Sequence, residues 1–234
     1  MGYSPTASSR RREDVSSERA RLLGAEALGT FALVLFGCGA IMVDAEGGEL
    51  GLVGISVAFG LVVMAMVFAF ADVSGAHINP AVTLALAARR RFPWAAVPGY
   101  WGAQVTGAIA AAIVLRASLG DVADLGATTP SGTDAQSFAW EVALTATLLV
   151  VIVAVATRPH LTIGPAALAI GGTIALASLV GGPIPGASLN PARSLGPALV
   201  SGELDSLWIY LTAPLVGGLL GALVYDVLRS RATT

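Results

Sequence analysis

Six apolar runs, each about long enough to cross a bilayer, constrain this chain more than any other feature. They cover residues 22–43, 51–71, 94–116, 138–156, 162–180 and 207–228, close to the ~20 residues that a spanning helix needs. Backbone N–H and C=O groups in hydrocarbon have no water to bond and must be paired within their own segment, so the runs are helices. Composition agrees: 55% of the chain is hydrophobic and 12% charged, with a mean hydropathy of +0.77, whereas soluble domains carry about 25% charged residues. A large soluble core is therefore the wrong architecture for this chain. The expected fold class is an all-α membrane protein.

Charge and residue usage narrow the function classes. A net charge of −2, with no basic tract interleaved with aromatics, argues against a nucleic-acid partner. Two histidines and one cysteine cannot build a dense metal or nucleophile cluster, so no enzyme, metal or cofactor is expected. Cys38 lies inside the first run, has no intrachain disulfide partner, and reads as a small packing residue.

Residues 1–19 are polar and read as a cytoplasmic tail. The run that follows is too long for a signal-peptide core and reads as a retained span. All thirteen basic residues are arginines; eleven fall in the N-terminal tail, after the second run, after the fourth run and at the C-terminus. The other three connections carry acids, Asp44 to Glu49, Asp121 to Asp134, and Glu203 with Asp205. Positive charge collects on the cytoplasmic side, so both termini are expected there, consistent with six crossings. The exceptions are Arg116 and Arg193.

The chain repeats itself at an offset of 111 residues: Asn79-Pro80-Ala81 maps onto Asn190-Pro191-Ala192, Gly60 onto Gly171, Gly107 onto Gly218 and Ala110 onto Gly221. "EALGTFALV" from Glu26 is similar to "EVALTATLL" from Glu141. The expected halves are residues 20–116 and 137–229, joined by an extracytoplasmic loop, 117–136, and followed by a short tail, 230–234. Three crossings is an odd number, so the second half is inserted upside down relative to the first, an inverted repeat.

Both asparagines of the chain precede Pro-Ala. Asn is a good N-cap and Pro suits the first helical position, where its missing N–H costs nothing. The apolar stretches behind them, 79–88 and 190–200, are too short to span and suit re-entrant half-helices. In an inverted repeat they enter from opposite faces and meet by their N-termini, each carrying about +0.5 of an elementary charge. Irregular backbone at that depth must line a wet cavity or be buried in protein. The segments "SGAH" and "PGAS" supply such backbone, with a ladder of carbonyl acceptors. A site of this kind repels cations and offers two amides to a neutral polar guest.

Paired Asn-Pro-Ala boxes, "SGAHINPAVT", "NPARSLGPA" and a glutamate near the start of each half resemble the aquaporin, or major intrinsic protein, family over roughly residues 20–229. The resemblance implies an aquaporin-like bundle of six transmembrane helices plus two half-helices, one pore per subunit, and a homotetramer in the lipid bilayer. It implies that Asn79 and Asn190 hold a permeating water, and that carbonyls of Gly75, Ala76, His77, Gly186, Ala187 and Ser188 pass it along. Four positions, Phe59, Ser178, Ala187 and Arg193, then form the narrow filter. Water-selective members usually place histidine where this chain has Ser178. Glycerol facilitators usually have two aromatics at the filter and an aspartate after the arginine, where this chain has Phe59 alone and Ser194. The implied function is a passive water channel, with small neutral solutes such as glycerol, urea, ammonia or peroxide as the alternative.

The remaining ionisable groups have two readings each. Glu26 and Glu141 suggest a proton path by position, but the resemblance makes them buried structural acceptors for the re-entrant loops. His77 either orients its loop or senses protons; His160 is either a surface residue or a pH gate. The family's mercury-sensitive cysteine position falls on Ala187. An all-arginine, alanine-rich composition points to a bacterial plasma membrane.

Overall fold

A computed structural model describes residues 7–157 and 162–230. The chain forms eight α-helices there: α1 Ala7–Gly47, α2 Gly51–Phe70, α3 Pro80–Ala88, α4 Val97–Leu119, α5 Asp134–Ala156, α6 Ile163–Gly181, α7 Pro191–Ser201 and α8 Leu207–Ser230. No strand occurs among the described residues. Six of the helices are long and apolar enough to cross a membrane, and α3 and α7 are short. Helix α1 begins inside the stretch expected as a tail. His160 and residues 231–234 lie outside the described residues.

Lipid inverts the usual arrangement of side chains. Phe36, Leu61, Phe68, Leu168, Leu176 and Leu223 are more than half exposed, while Glu26, Gln104, Glu141, Arg193 and Ser194 are buried. Apolar side chains face hydrocarbon, and polar ones collect in the interior where partners exist.

Helices in lipid gain nothing from excluding water from each other, so close contact depends on small residues. A Cβ built on Gly60 would lie 2.8 Å from the Gly171 carbonyl oxygen, and one on Gly171 would lie 2.5 Å from that of Gly60. This reciprocal crossing of α2 and α6 is what a two-fold related pair requires, and it matches the 111-residue offset. A Cβ on Gly107 would fall on the carbonyl oxygen of Ala27, locking α4 to α1.

The mate of Gly107 differs from the one expected. Gly217, rather than Gly218, occupies the equivalent contact, with its Cβ direction blocked by the Val142 carbonyl. Val142 follows Glu141 as Ala27 follows Glu26. The stretch from Asn190 to Gly217 is one residue shorter than that from Asn79 to Gly107, so a constant offset slips register in the last helix. Ala110 is likewise exposed, and its neighbour Ala111 is buried, which makes Ala111 the mate of Gly221.

Arg116, one of the two arginines outside the arginine-bearing tails and connections, donates from Nη1 to the Val200 carbonyl at 2.5 Å and pairs with Asp121 at 3.1 Å. It places a cation on the unpaired C-terminal carbonyls of α7, the favourable end for positive charge.

Candidate functional site

The two half-helices begin alike. Asn79 and Asn190 are extended (φ −159° and −150°), and proline follows at the first helical position. Asn79 Oδ1 accepts from Ala81 N at 2.8 Å, and Asn190 Oδ1 accepts from Ala192 N at 3.0 Å and Arg193 N at 3.3 Å. These bonds satisfy orphan donors of each first turn.

The amide nitrogens then cross over. Asn79 Nδ2 donates to the Leu189 carbonyl and Asn190 Nδ2 to the Ile78 carbonyl, both at 2.8 Å. Each asparagine is thereby fixed by its own helix and by the opposite loop. An amide has two N–H donors, so each keeps one for a guest. Pro80, Ala81, Pro191 and Ala192 are buried and pack the joint.

The backbone before each asparagine follows one pattern. Gly75, Ala76 and Ile78 have φ of +88°, +46° and +42°; Gly186, Ala187 and Leu189 have +84°, +47° and +54°. Left-handed conformation is costly for residues with a Cβ, and something must hold it. Glu26 accepts from His77 N at 2.9 Å and Ile78 N at 2.7 Å, and Glu141 accepts from Ser188 N at 2.7 Å and Leu189 N at 2.8 Å. Each carboxylate straps one loop with both oxygens, as the structural reading of these acids expects.

The strapping differs in detail. Glu26 also accepts from Ser74 Oγ and Gln104 Nε2, both at 2.7 Å, and Tyr100 donates to the Ser74 carbonyl at 2.9 Å. His77 Nδ1 lies 3.1 Å from Thr83 Oγ1, with its ring edge-on to Phe92 at 4.7 Å. These contacts fix the imidazole within its loop.

Arg193 forms the second constellation. It is 1% exposed, its Nη1 donates to the Gly126 carbonyl at 2.8 Å, and its guanidinium carbon sits 5.0 Å from the Phe59 ring centroid, a cation–π contact. Its Nε has no protein partner among the described residues. Gly126 reaches it through a left-handed turn, since Ala123, Asp124 and Leu125 all have φ between +46° and +57°. A chain of hydroxyls backs the arginine: Thr128 Oγ1 to Ser194 Oγ at 2.7 Å, and Ser194 Oγ to Ser188 Oγ at 2.5 Å.

A cavity of about 400 Å³ joins these parts. Phe59, Ser178, Ala187, Arg193, both asparagines, Gly75, Ala76, His77 and Ser188 line it; Gly186, Glu26 and Glu141 do not. The acids are thus set back from the cavity, with their oxygens occupied by N–H and O–H donors. One wall is apolar, with Val63, Leu148, Ile152, Ile170 and Ile174. The lining also includes Arg91, two residues along the chain from Arg89, which pairs with Asp226. Gly126, Thr128, Gln104 and Arg91 belong to the site although none sits in a recognisable sequence motif.

Comparisons with known proteins agree with this architecture. The major intrinsic protein profile matches residues 13–225. Aquaporin NIP1-1 of Oryza sativa subsp. japonica is 46% identical over 88% of this chain and 73% of its own length. Nodulin-26 of Glycine max is 44% identical over 88% and 77%. The X-ray structure of the aquaglyceroporin from Plasmodium falciparum superposes with a TM-score of 0.84 at 27% identity, covering 92% of this chain and 98% of that one. These relatives from plants lend no support to a bacterial membrane. Spans, paired boxes and profile together establish the chain as an integral, multi-pass member of the major intrinsic protein family.

Proposed function

We propose that the chain is a passive channel for water that excludes protons and ions. The observation that carries this reading is the crossed pair of amides. Asn79 and Asn190 spend one Nδ2 hydrogen on the opposite loop and keep the other at the cavity, where two positive helix ends meet. A water held there gives its oxygen to both amides and points its hydrogens away, which breaks a proton relay. The dipoles and Arg193 raise the energy of any cation at both stations. Carbonyls of Gly75, Ala76 and His77 on one side, and of Ala187 and Ser188 on the other, carry water between them; Gly186, expected to share this role, lies off the cavity.

Small neutral solutes form a second reading, favoured by the filter itself. Ser178 and Ala187 line the same cavity as Phe59 and Arg193 with short side chains, which leaves width for a polyol or urea. Stopped-flow light scattering of reconstituted vesicles separates the readings, first with an impermeant osmolyte and then with glycerol. Water permeability no greater than that of empty vesicles overturns the water-channel reading, and fast glycerol uptake selects the wider one. A homotetramer with both termini cytoplasmic completes the proposal, tested by native mass spectrometry and by protease access to the termini in sealed vesicles.

A further inference from the structure

The filter pair, Phe59 and Arg193, rests on two adjacent residues of α1. Gly37 and Cys38 are both buried, Cys38 completely. A Cβ built on Gly37 would lie 2.5 and 2.7 Å from Cδ1 and Cζ of the Phe59 ring and closer still to Cε1. The ring edge therefore sits directly on the Gly37 backbone. One residue on, Gly126 presses against Cys38: a Cβ there would meet Cys38 Cβ at 2.9 Å, its Cα at 3.0 Å and its carbonyl oxygen at 3.1 Å. Gly126 is the residue whose carbonyl holds Arg193 Nη1.

We propose that Gly37-Cys38 is a specificity-determining seat, which sets the filter's width by fixing how deeply the Phe59 ring and the Gly126 carbonyl sit against α1. This rests on the reading of Phe59 and Arg193 as the filter. The seat works because the contacts are backbone and Cβ atoms of a spanning helix, which cannot yield as a flexible side chain can. The Phe59 ring touches Gly37 and also lines the cavity, which Gly37 does not, so bulk added at Gly37 pushes the ring off α1 and toward the pore. Carbon atoms pack at about 3.5–4.0 Å, so one methyl group there displaces the ring by roughly 1 Å. Bulk at Gly126 acts in the opposite sense. It lifts the strained turn Ala123–Gly126 off α1 and draws the carbonyl from Arg193, freeing the guanidinium from one of its two restraints.

Two variants that each add one methyl group against the same helix thus shift selectivity in opposite directions. Gly37→Ala lowers the unit water permeability, and lowers glycerol relative to water by about tenfold, the scale of one methylene group at a selective site. Gly126→Ala raises the glycerol-to-water ratio or the sodium leak. Phe59→Leu, which removes the ring, suppresses the Gly37→Ala effect in the double variant. These four variants and the wild type are compared in proteoliposomes per incorporated channel, with water, glycerol and sodium fluxes read on each.

General destabilisation moves both glycine variants the same way, and that result overturns the proposal. So does a Gly37→Ala effect that persists undiminished on the Phe59→Leu background. If Phe59→Leu alone leaves every selectivity unchanged, the filter assignment itself falls, and the seat falls with it. If Gly37→Ala fails to fold, the double variant, in which the ring is gone, and Gly126→Ala still decide the matter. Recovery of a folded, conducting double variant supports the seat, and its continued misfolding refutes it.

Discussion

Replacing Glu141 by leucine strands the N–H groups of Ser188 and Leu189, which it binds at 2.7 and 2.8 Å. The carboxylate is fully buried, and the displaced donors lie at membrane depth, where bulk water does not replace the lost acceptor. A stranded buried donor costs about 1–3 kcal/mol, so two cost about 2–6 kcal/mol. For a chain of this size, about 2–4 °C accompanies each kcal/mol, which predicts a fall in melting temperature of roughly 5–20 °C. Glutamine keeps one acceptor oxygen but turns an NH2 toward the other donor, so Glu141→Gln recovers about half of the loss. Glu26 holds four donors, but Ser74 Oγ rotates and Gln104 Nε2 retains Thr83 Oγ1 at 3.1 Å. Glu26→Leu is therefore expected to cost about as much as Glu141→Leu, with two backbone donors dominating both. The assay is thermal unfolding of purified protein in detergent, paired with unit water permeability. Permeability falls because Leu189 carries the carbonyl that holds Asn79. A Glu141→Leu protein that melts and conducts like wild type refutes the strap.

Three further outcomes are expected. Arg193→Val removes the cation and its contacts with Gly126 and Phe59, so sodium or larger solutes leak in vesicle assays; an unchanged profile counts against the filter role. Ala187→Cys puts a thiol on the cavity wall, so a mercurial blocks that variant but not wild type, whose Cys38 is completely buried; equal inhibition of both refutes the placement. Gly107→Val drives a side chain into the Ala27 carbonyl, costing about 1–3 kcal/mol of overpacking, visible as a lower melting temperature; Gly102→Val, at a position with open space, serves as the control and stays near wild type.

The class of architecture was legible because its signals are local. Each apolar run declares a helix within its own ~20 residues, and Asn-Pro-Ala caps a helix with atoms two or three residues apart. Symmetry was legible too, since both halves repeat the same local device, and the odd number of crossings dictates the inversion. The straps at Glu26 and Glu141 were expected only through resemblance, because the bonds join residues 47 to 52 positions apart. The register of the last helix was misjudged, as a one-residue shortening is invisible until Gly217 meets Val142.

What the sequence by itself determined was a six-span inverted repeat with two capped half-helices and an arginine beside one of them. What only the tertiary structure decided was how Arg193 is held. Arg193 finds its acceptor 67 residues away at Gly126, and Gly126 packs in turn on Cys38. Such contacts obey no period and no motif. They follow from where the helices and one strained turn come to rest against each other, and at Gly126 only a missing Cβ lets the turn come so close to the Cys38 backbone.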